Sequence, residues 1–177
     1  MKIFTHKKPQ EATAHGLTAL MATERPHLLR YACYRLGNPD DAQDAVQDTF
    51  LLLHNRQQDA HGQPLFQPRH YLYRCLSNIC TDRLRRHQTR QFIPLEQAIH
   101  LCDEQPDDFE QEFRKITTLL AAIPDEQAEV IRLRIHGDNS FTDIAAILEL
   151  PVSTVKSRFQ YGIEKIRKGI YAKSQTL

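Results

Sequence analysis

Apolar positions recur at three- and four-residue spacing along most of this chain. From Ala42 they run Ala42, Ala45, Val46, Thr49, Phe50 and Leu53, the period of a helix with one buried face. A second stripe, Leu72, Cys75, Leu76, Ile79 and Cys80, predicts a helix from about Arg69 to His87. A third, Val155, Phe159, Ile163, Ile166 and Ile170, lies along the C-terminal helix. No alternation of period two is sustained and β-branched runs are few, so the pattern predicts an all-α protein without strands.

Turn and cap residues divide this pattern. A helix over Leu28–Leu36 ends at Gly37, and Asn38-Pro39-Asp40-Asp41 turns into the next, Pro39 to Leu53. Gln57 to Pro68 reads as a loop, broken by Gly62, Pro64 and Pro68. Phe113 to Ala122 is helical; Pro124, with Asp125 and Glu126 behind it, suits the first turn of another helix, and Gly137 suits its C-terminal cap. Ser140 and Asp143 form a variant capping box for "FTDIAAILEL", Pro151 ends that helix, and Ser153 can cap the last one. The expected architecture is two small helical domains, 17–92 and 113–173, joined by an acidic linker over 93–112. Residues 1–16 are expected to be a flexible leader or a short added helix. The short break "LEL-PVS" between the last two helices makes the second domain a helix-turn-helix candidate.

Charge changes the picture from one body to several surfaces. The formal net charge is only +1, which excludes a polycation that binds nucleic acid by bulk attraction. Yet Pro39 to Phe50 carries Asp40, Asp41, Asp44 and Asp48 without a cation, and Arg69 to Arg90 carries six arginines against Asp82 alone. Glu96 to Glu112 is acidic again, and the last helix is basic. Segregation of this kind suggests separate partners for separate surfaces. No apolar run approaches the roughly 20 residues that cross a bilayer, and the N-terminus lacks the apolar core of a secretory signal, so a cytoplasmic protein that is not itself a membrane protein is expected.

The cysteines, Cys33, Cys75, Cys80 and Cys102, have no paired CxxC spacing; buried reduced thiols are expected rather than a metal site. Scattered histidines, with no Ser-His-Asp set and no glycine-rich phosphate loop, argue against an enzyme, and no cofactor or metal is expected.

Three polar faces remain. In the last helix Ser157, Gln160 and Tyr161 lie furthest from the apolar stripe, flanked by Lys156 and Arg158. Short polar groups at the centre suit base edges and cations at the rims suit phosphates, although an ordinary solvated helix has the same wheel. The helix from Pro39 offers Asp44, Gln47, Asp48 and Leu51, a face whose acids repel phosphate and suit a protein partner. The following helix aligns Arg74, Asn78, Thr81 and Arg85 on its outer side, with Tyr71 and Tyr73 at its entry, a combination that suits exposed bases and backbone.

Three segments, in order, resemble the bacterial extracytoplasmic-function (group IV) sigma factors, the small alternative initiation subunits of RNA polymerase. "RLGNPDDAQDAVQDTFLLLHN" is similar to the family's clamp-docking helix of region two. "YLYRCLSNICTDRLRR" is similar to its −10 element segment, with Tyr71 where a tryptophan is usual. "IPDEQAEVIRLRIHGDNSFTDIAAILELPVSTVKSRFQYGIEKIRK" is similar to its region-four helix-turn-helix for the −35 element. The resemblance implies that Asp44, Gln47, Asp48 and Leu51 bind core polymerase. It implies that Tyr71, Arg74, Asn78, Thr81, Arg83, Arg85 and Arg86 hold −10 DNA, the 57–68 loop helping to capture a flipped base. Lys156, Ser157, Arg158, Gln160 and Tyr161 would meet the −35 duplex. It also implies an anti-sigma partner, often one held in a membrane. The alternative from the residues alone is a helix-turn-helix regulator that acts without core polymerase.

Overall fold

A computed structural model describes residues 14–59, 67–90 and 108–174. They form seven helices and, among the described residues, no strand. Helix α1 (Ala14–Leu36) starts well before the predicted Leu28 and takes in the last residues of the expected leader. Pro26 lies inside it, where it removes one helical hydrogen bond; burial of Leu17, Leu28, Tyr31 and Ala32 on the inner face offsets that loss.

Gly37 closes α1 with φ 73°, its N–H bonding to the Cys33 carbonyl at 2.8 Å, a left-handed stop that favours glycine. Asn38 Oδ1 then accepts from the Asp40 N–H at 2.8 Å and so caps α2 (Pro39–Asp59). The anticipated stripe is the buried one: Ala42, Ala45, Val46, Thr49 and Leu53 are inside. The helix runs past Leu53 through Asp59, into what reads as loop; the rest of that loop up to Phe66 lies outside the described residues. Helix α3 (Pro68–Arg90) buries Leu72, Tyr73, Leu76 and Cys80.

Most of the expected linker also lies outside the described residues, but Asp108–Glu112 are helical and belong to α4 (Asp108–Ala121). Helix α5 (Asp125–Ile131) follows Pro124, which stands at the N-cap position itself, and it widens into a π-type turn over Arg132–His136. Gly137 does end this segment, yet with φ −86°; the left-handed residue is Asp138, at φ 49°. Glycine is required at 137 for space: a Cβ there would lie 2.7 Å from Asn139 Nδ2 and 2.9 Å from the Leu133 carbonyl oxygen. Helix α6 (Phe141–Leu148) has the predicted capping box of Ser140 and Asp143, and Glu149 closes it in the left-handed region. Helix α7 (Val152–Ser174) begins ahead of Ser153, so that serine sits in the first turn and is not the cap.

The bundle of α1, α2 and α3 packs against α5 and α6. Leu28, Tyr31, Leu72 and Leu76 share one buried cluster with Val130, Leu133, Ile144 and Val155. A smaller cluster, Leu120, Ile123, Ala128 and Ile131, is covered by Tyr34, Ile116, Ile163 and Ile166. Nothing in the hydrophobic pattern signalled that the two halves of the chain would meet.

Candidate DNA and polymerase interfaces

Burial of the Ala42–Leu53 stripe turns the opposite face of α2 outward. Asp44, Gln47, Asp48 and Leu51 all lie at the surface, and Leu51 and Leu52 are 53% and 51% exposed. Two adjacent exposed leucines beside acids form a face suited to a protein. Asp48 is not solvated alone: Arg83 Nη2 donates to it at 2.6 Å and Arg83 Nη1 reaches the Asp41 carbonyl at 3.2 Å. Arg83 therefore braces α2 against α3.

The arginine-rich face of α3 is divided. Asn78, Arg85 and Arg86 are exposed, while Thr81 is half-buried and returns its hydroxyl to the Ser77 carbonyl at 2.8 Å. Tyr71 accepts from Arg56 Nη1 at 2.6 Å, with the guanidinium 4.6 Å from its ring centroid. Arg74, its side chain 42% exposed on that outer side, is engaged by α6. Its Nη2 donates to the Ala146 carbonyl at 2.9 Å, its Nε reaches the Ile147 carbonyl at 3.3 Å, and its Nη1 pairs with Glu149 at 2.7 Å. A cation at the end of α6 meets the unsatisfied carbonyls and the negative end of the helix dipole.

On α7, Val155 is buried and Lys156, Ser157, Gln160 and Tyr161 are exposed, Tyr161 by 61%. Arg158 is half-buried and ion-paired with Glu126 of α5. The structure thus gathers the five residues on one end of α7 as the helical wheel placed them, with one cation already engaged.

Sequence reasoning missed the residues that join the halves. Tyr31 donates to Glu129, and Ser77 Oγ donates to the same carboxylate oxygen at 3.0 Å. Arg35 hydrogen-bonds Asp125, and Arg132 Nε donates to the Tyr34 carbonyl at 3.0 Å. Burial, then the charge of Glu129, pushes the Tyr31 hydroxyl well above its ordinary range. The hydrogen bonds from Arg35 hold the Asp125 carboxyl below its own. Further along, Arg69 Nη1 donates to Asn139 Oδ1 at 2.7 Å, His70 Nε2 lies 2.9 Å from Asp143, and Tyr73 donates to the Gly137 carbonyl at 2.7 Å. The legible signals were Glu129 and Arg132, two charges set among the apolar residues of Ala128 to Leu133.

Cys33, Cys75 and Cys80 are free thiols, and only Cys80 is fully buried, its thiol pushed up to about 12 by burial and by Glu129. His100 and Cys102 lie outside the described residues. Among the described residues no cluster of three or more His, Cys, Asp or Glu is placed to hold a metal, and no helix is long and apolar enough to cross a membrane.

Two family models match the chain in this order: Sigma-70 region 2 over residues 20–90 and Sigma-70, region 4 over residues 119–168. The ECF RNA polymerase sigma factor SigW of Bacillus subtilis is 29% identical over 150 residues, 77% of this chain and 79% of SigW. This chain belongs to the extracytoplasmic-function sigma factors. As such it is an alternative sigma factor that directs transcription initiation. Its fold is similar to that of CnrH, solved with the cytosolic domain of CnrY, at a TM-score of 0.66 and 23% identity over 89% of each chain. It is also similar to the sigma factor RpoE of Bartonella quintana, solved with the anti-sigma factor NepR, at a TM-score of 0.60 and 25% identity over 85% of this chain and 94% of that one. Helices α1 to α3 carry the sigma factor's region two, and α5 to α7 with the end of α4 its region four.

Proposed function

We propose that each half of this sigma factor contributes one step of promoter recognition, with the chemistry of RNA synthesis left wholly to the polymerase. Asp44, Gln47, Asp48 and Leu51 dock α2 on core RNA polymerase. Tyr71, Arg74, Asn78, Thr81, Arg83, Arg85 and Arg86 hold −10 DNA as it melts, cations on phosphates and the tyrosine ring against a base. Lys156, Ser157, Arg158, Gln160 and Tyr161 enter the −35 major groove from the front of α7. The 93–112 segment links the two and threads toward the polymerase channels, its acids imitating nucleic acid. The factor acts in the cytoplasm, has no cofactor or metal, and is kept inactive by an anti-sigma protein, as the complex of the related RpoE with NepR suggests.

The observation that carries the reading is the exposed pair Leu51 and Leu52 amid Asp44, Gln47 and Asp48, a protein-facing surface that a DNA-binding regulator acting alone would not need. The test is to mix the purified protein with core polymerase and transcribe a library of promoter fragments. Co-elution with core and initiation from a subset of fragments is the expected result. Leu51→Ala should weaken core binding by roughly tenfold, the scale of a buried leucine contact, and leave −35 duplex binding unchanged. Equal loss of both would overturn the division of surfaces.

A further inference from the structure

The end of α1, the turn into α2 and the facing side of α4 enclose a cleft of about 620 Å³, within the range of small-molecule sites. None of the residues assigned to polymerase or DNA lines it. Its walls are mostly apolar: Cys33 and Tyr34 of α1, Gly37 and Pro39 at the turn, and Phe113 of α4. These walls are held without a ligand. The Tyr34 ring stacks on His136 at 3.7 Å and tilts against Phe113 at 5.0 Å, and the Tyr34 carbonyl accepts from Arg132 Nε at 3.0 Å. The Gly37 N–H bonds the Cys33 carbonyl at 2.8 Å and fixes the turn. Burial pushes the Cys33 thiol up from its ordinary value, so it stays protonated, part of an apolar wall and not a nucleophile.

The polar part of the lining selects a sign of charge. Glu110 and Arg114 stand one turn apart on α4 and pair with each other at 2.5 Å, so their charges cancel. Arg30, exposed on α1, has no acid within ion-pair distance among the described residues. One uncompensated cation therefore lies beside an apolar cleft, and its guanidinium offers paired donors to a planar acid group. Tyr34, Phe113 and Pro39 supply ring surfaces that favour a flat apolar partner. From this combination we propose that the cleft is a binding site for a small aromatic anion, its rings against Tyr34, Phe113 and Pro39 and its acid group on Arg30. A neutral molecule of the same shape lacks the contact with Arg30 and binds less well. The bound anion joins α1 to α4, the helix that leads into region four, and stabilises the folded chain by mass action.

The test uses the full chain and two ligands of one shape, naphthoate and the neutral naphthalenemethanol, titrated by calorimetry. Naphthoate should bind one site with a Kd of about 1 mM or tighter, the scale open to so small a molecule, and the alcohol at least about fivefold more weakly. Arg30→Gln should weaken naphthoate binding by about fivefold, the upper range of one solvent-open charge contact, and leave the alcohol unaffected. Arg30→Lys should retain most of the affinity. Arg25→Gln, on the same helix but outside the lining, controls for the loss of a cation. Both arginines are exposed, and matching thermal midpoints of the ligand-free proteins show that each variant folds. Naphthoate should also slow maleimide labelling of Cys33, read by peptide mass, while Cys75, equally half-buried on α3, keeps its rate. Four results would overturn the site: no saturable binding, equal affinity for acid and alcohol, equal loss from Arg30→Gln and Arg25→Gln, or protection of Cys75 in place of Cys33. No polymerase or DNA enters the measurement, so its outcome is separate from the sigma assignment.

Discussion

The Tyr31 hydroxyl of α1 donates to the Glu129 carboxylate of α5, joining residues 98 positions apart at a point where both are buried. Ser77 Oγ reaches the same oxygen at 3.0 Å. Removing one donor from a buried charge exposes the asymmetry of hydrogen bonding: the bond adds modestly, but an unsatisfied acceptor costs about 1–3 kcal/mol. Tyr31→Phe keeps the ring and its edge contact with Tyr73. It should therefore lower the unfolding free energy measured in urea by that amount, through a lower midpoint with little change in slope. A loss below about 0.5 kcal/mol would mean that Ser77 and the nearby arginines satisfy Glu129 without Tyr31.

Two glycines with helical φ should respond in opposite ways to alanine. At Gly137 a Cβ would crowd Asn139 Nδ2, the Leu133 carbonyl and Tyr73 Cε1 at 2.7, 2.9 and 3.0 Å, in a buried turn that cannot give way cheaply, so Gly137→Ala should cost about 1–3 kcal/mol. At Gly169 on exposed α7 nothing lies within 4 Å, and Gly169→Ala should stabilise by about 0.5–1 kcal/mol through helix propensity. Thermal unfolding of both variants checks the pair; a neutral Gly137→Ala would show that the turn relaxes.

These residues show where the sequence could and could not be read. The Ala42–Leu53 stripe and the Ser140–Asp143 box are local patterns, set by helical period and by a side chain three residues from its partner, and the structure has both. The same wheel put Ser157, Gln160 and Tyr161 outward on α7, where they are. The engagement of Arg74 was not legible because it depends on α6, more than 70 residues away, and no periodicity within α3 encodes that neighbour. Gly137 was located correctly as a stop but for the wrong physical reason, since the crowding by Asn139 and Tyr73 is tertiary. The start of α1 was missed because Pro26 interrupts a helix that burial sustains.

His136 makes stability depend on pH. Its ring stacks on Tyr34 with centroids 3.7 Å apart, and burial, with Arg30 and Arg132 nearby, lowers its pKa from 6.5 to about 4. Between those values the unfolded chain binds a proton that the folded one excludes, so stability is complete above pH 6.5 and falls as pH drops toward 4. Asp125 and Asp143, whose pKa values are lowered on folding, add losses in the same direction only at lower pH, as they protonate. His136→Phe retains a stacking ring and should flatten the slope of unfolding free energy between pH 6.5 and 4. An unchanged slope would show that His136 does not carry the pH dependence.

The two cations at the front of α7 should contribute unequally to duplex binding. Lys156 stands exposed at the rim, whereas Arg158 is half-buried and must leave Glu126 to reach a phosphate. A phosphate contact releases a counterion, so Lys156→Ala should weaken binding to all duplex sequences alike and reduce the slope of log K against log salt by about 0.9. Arg158→Ala should cost less, because the ion pair already lost with Glu126 offsets part of the gain from the phosphate. Gln160, between them and exposed, has amide groups suited to base edges; Gln160→Ala should reorder the preferred −35 sequences while leaving the salt slope intact. Anisotropy titrations of the full chain across a salt series, on a small panel of duplexes, measure all three. A larger effect from Arg158 than from Lys156, or a uniform loss from Gln160→Ala, would place the phosphate and base contacts on different residues of this helix.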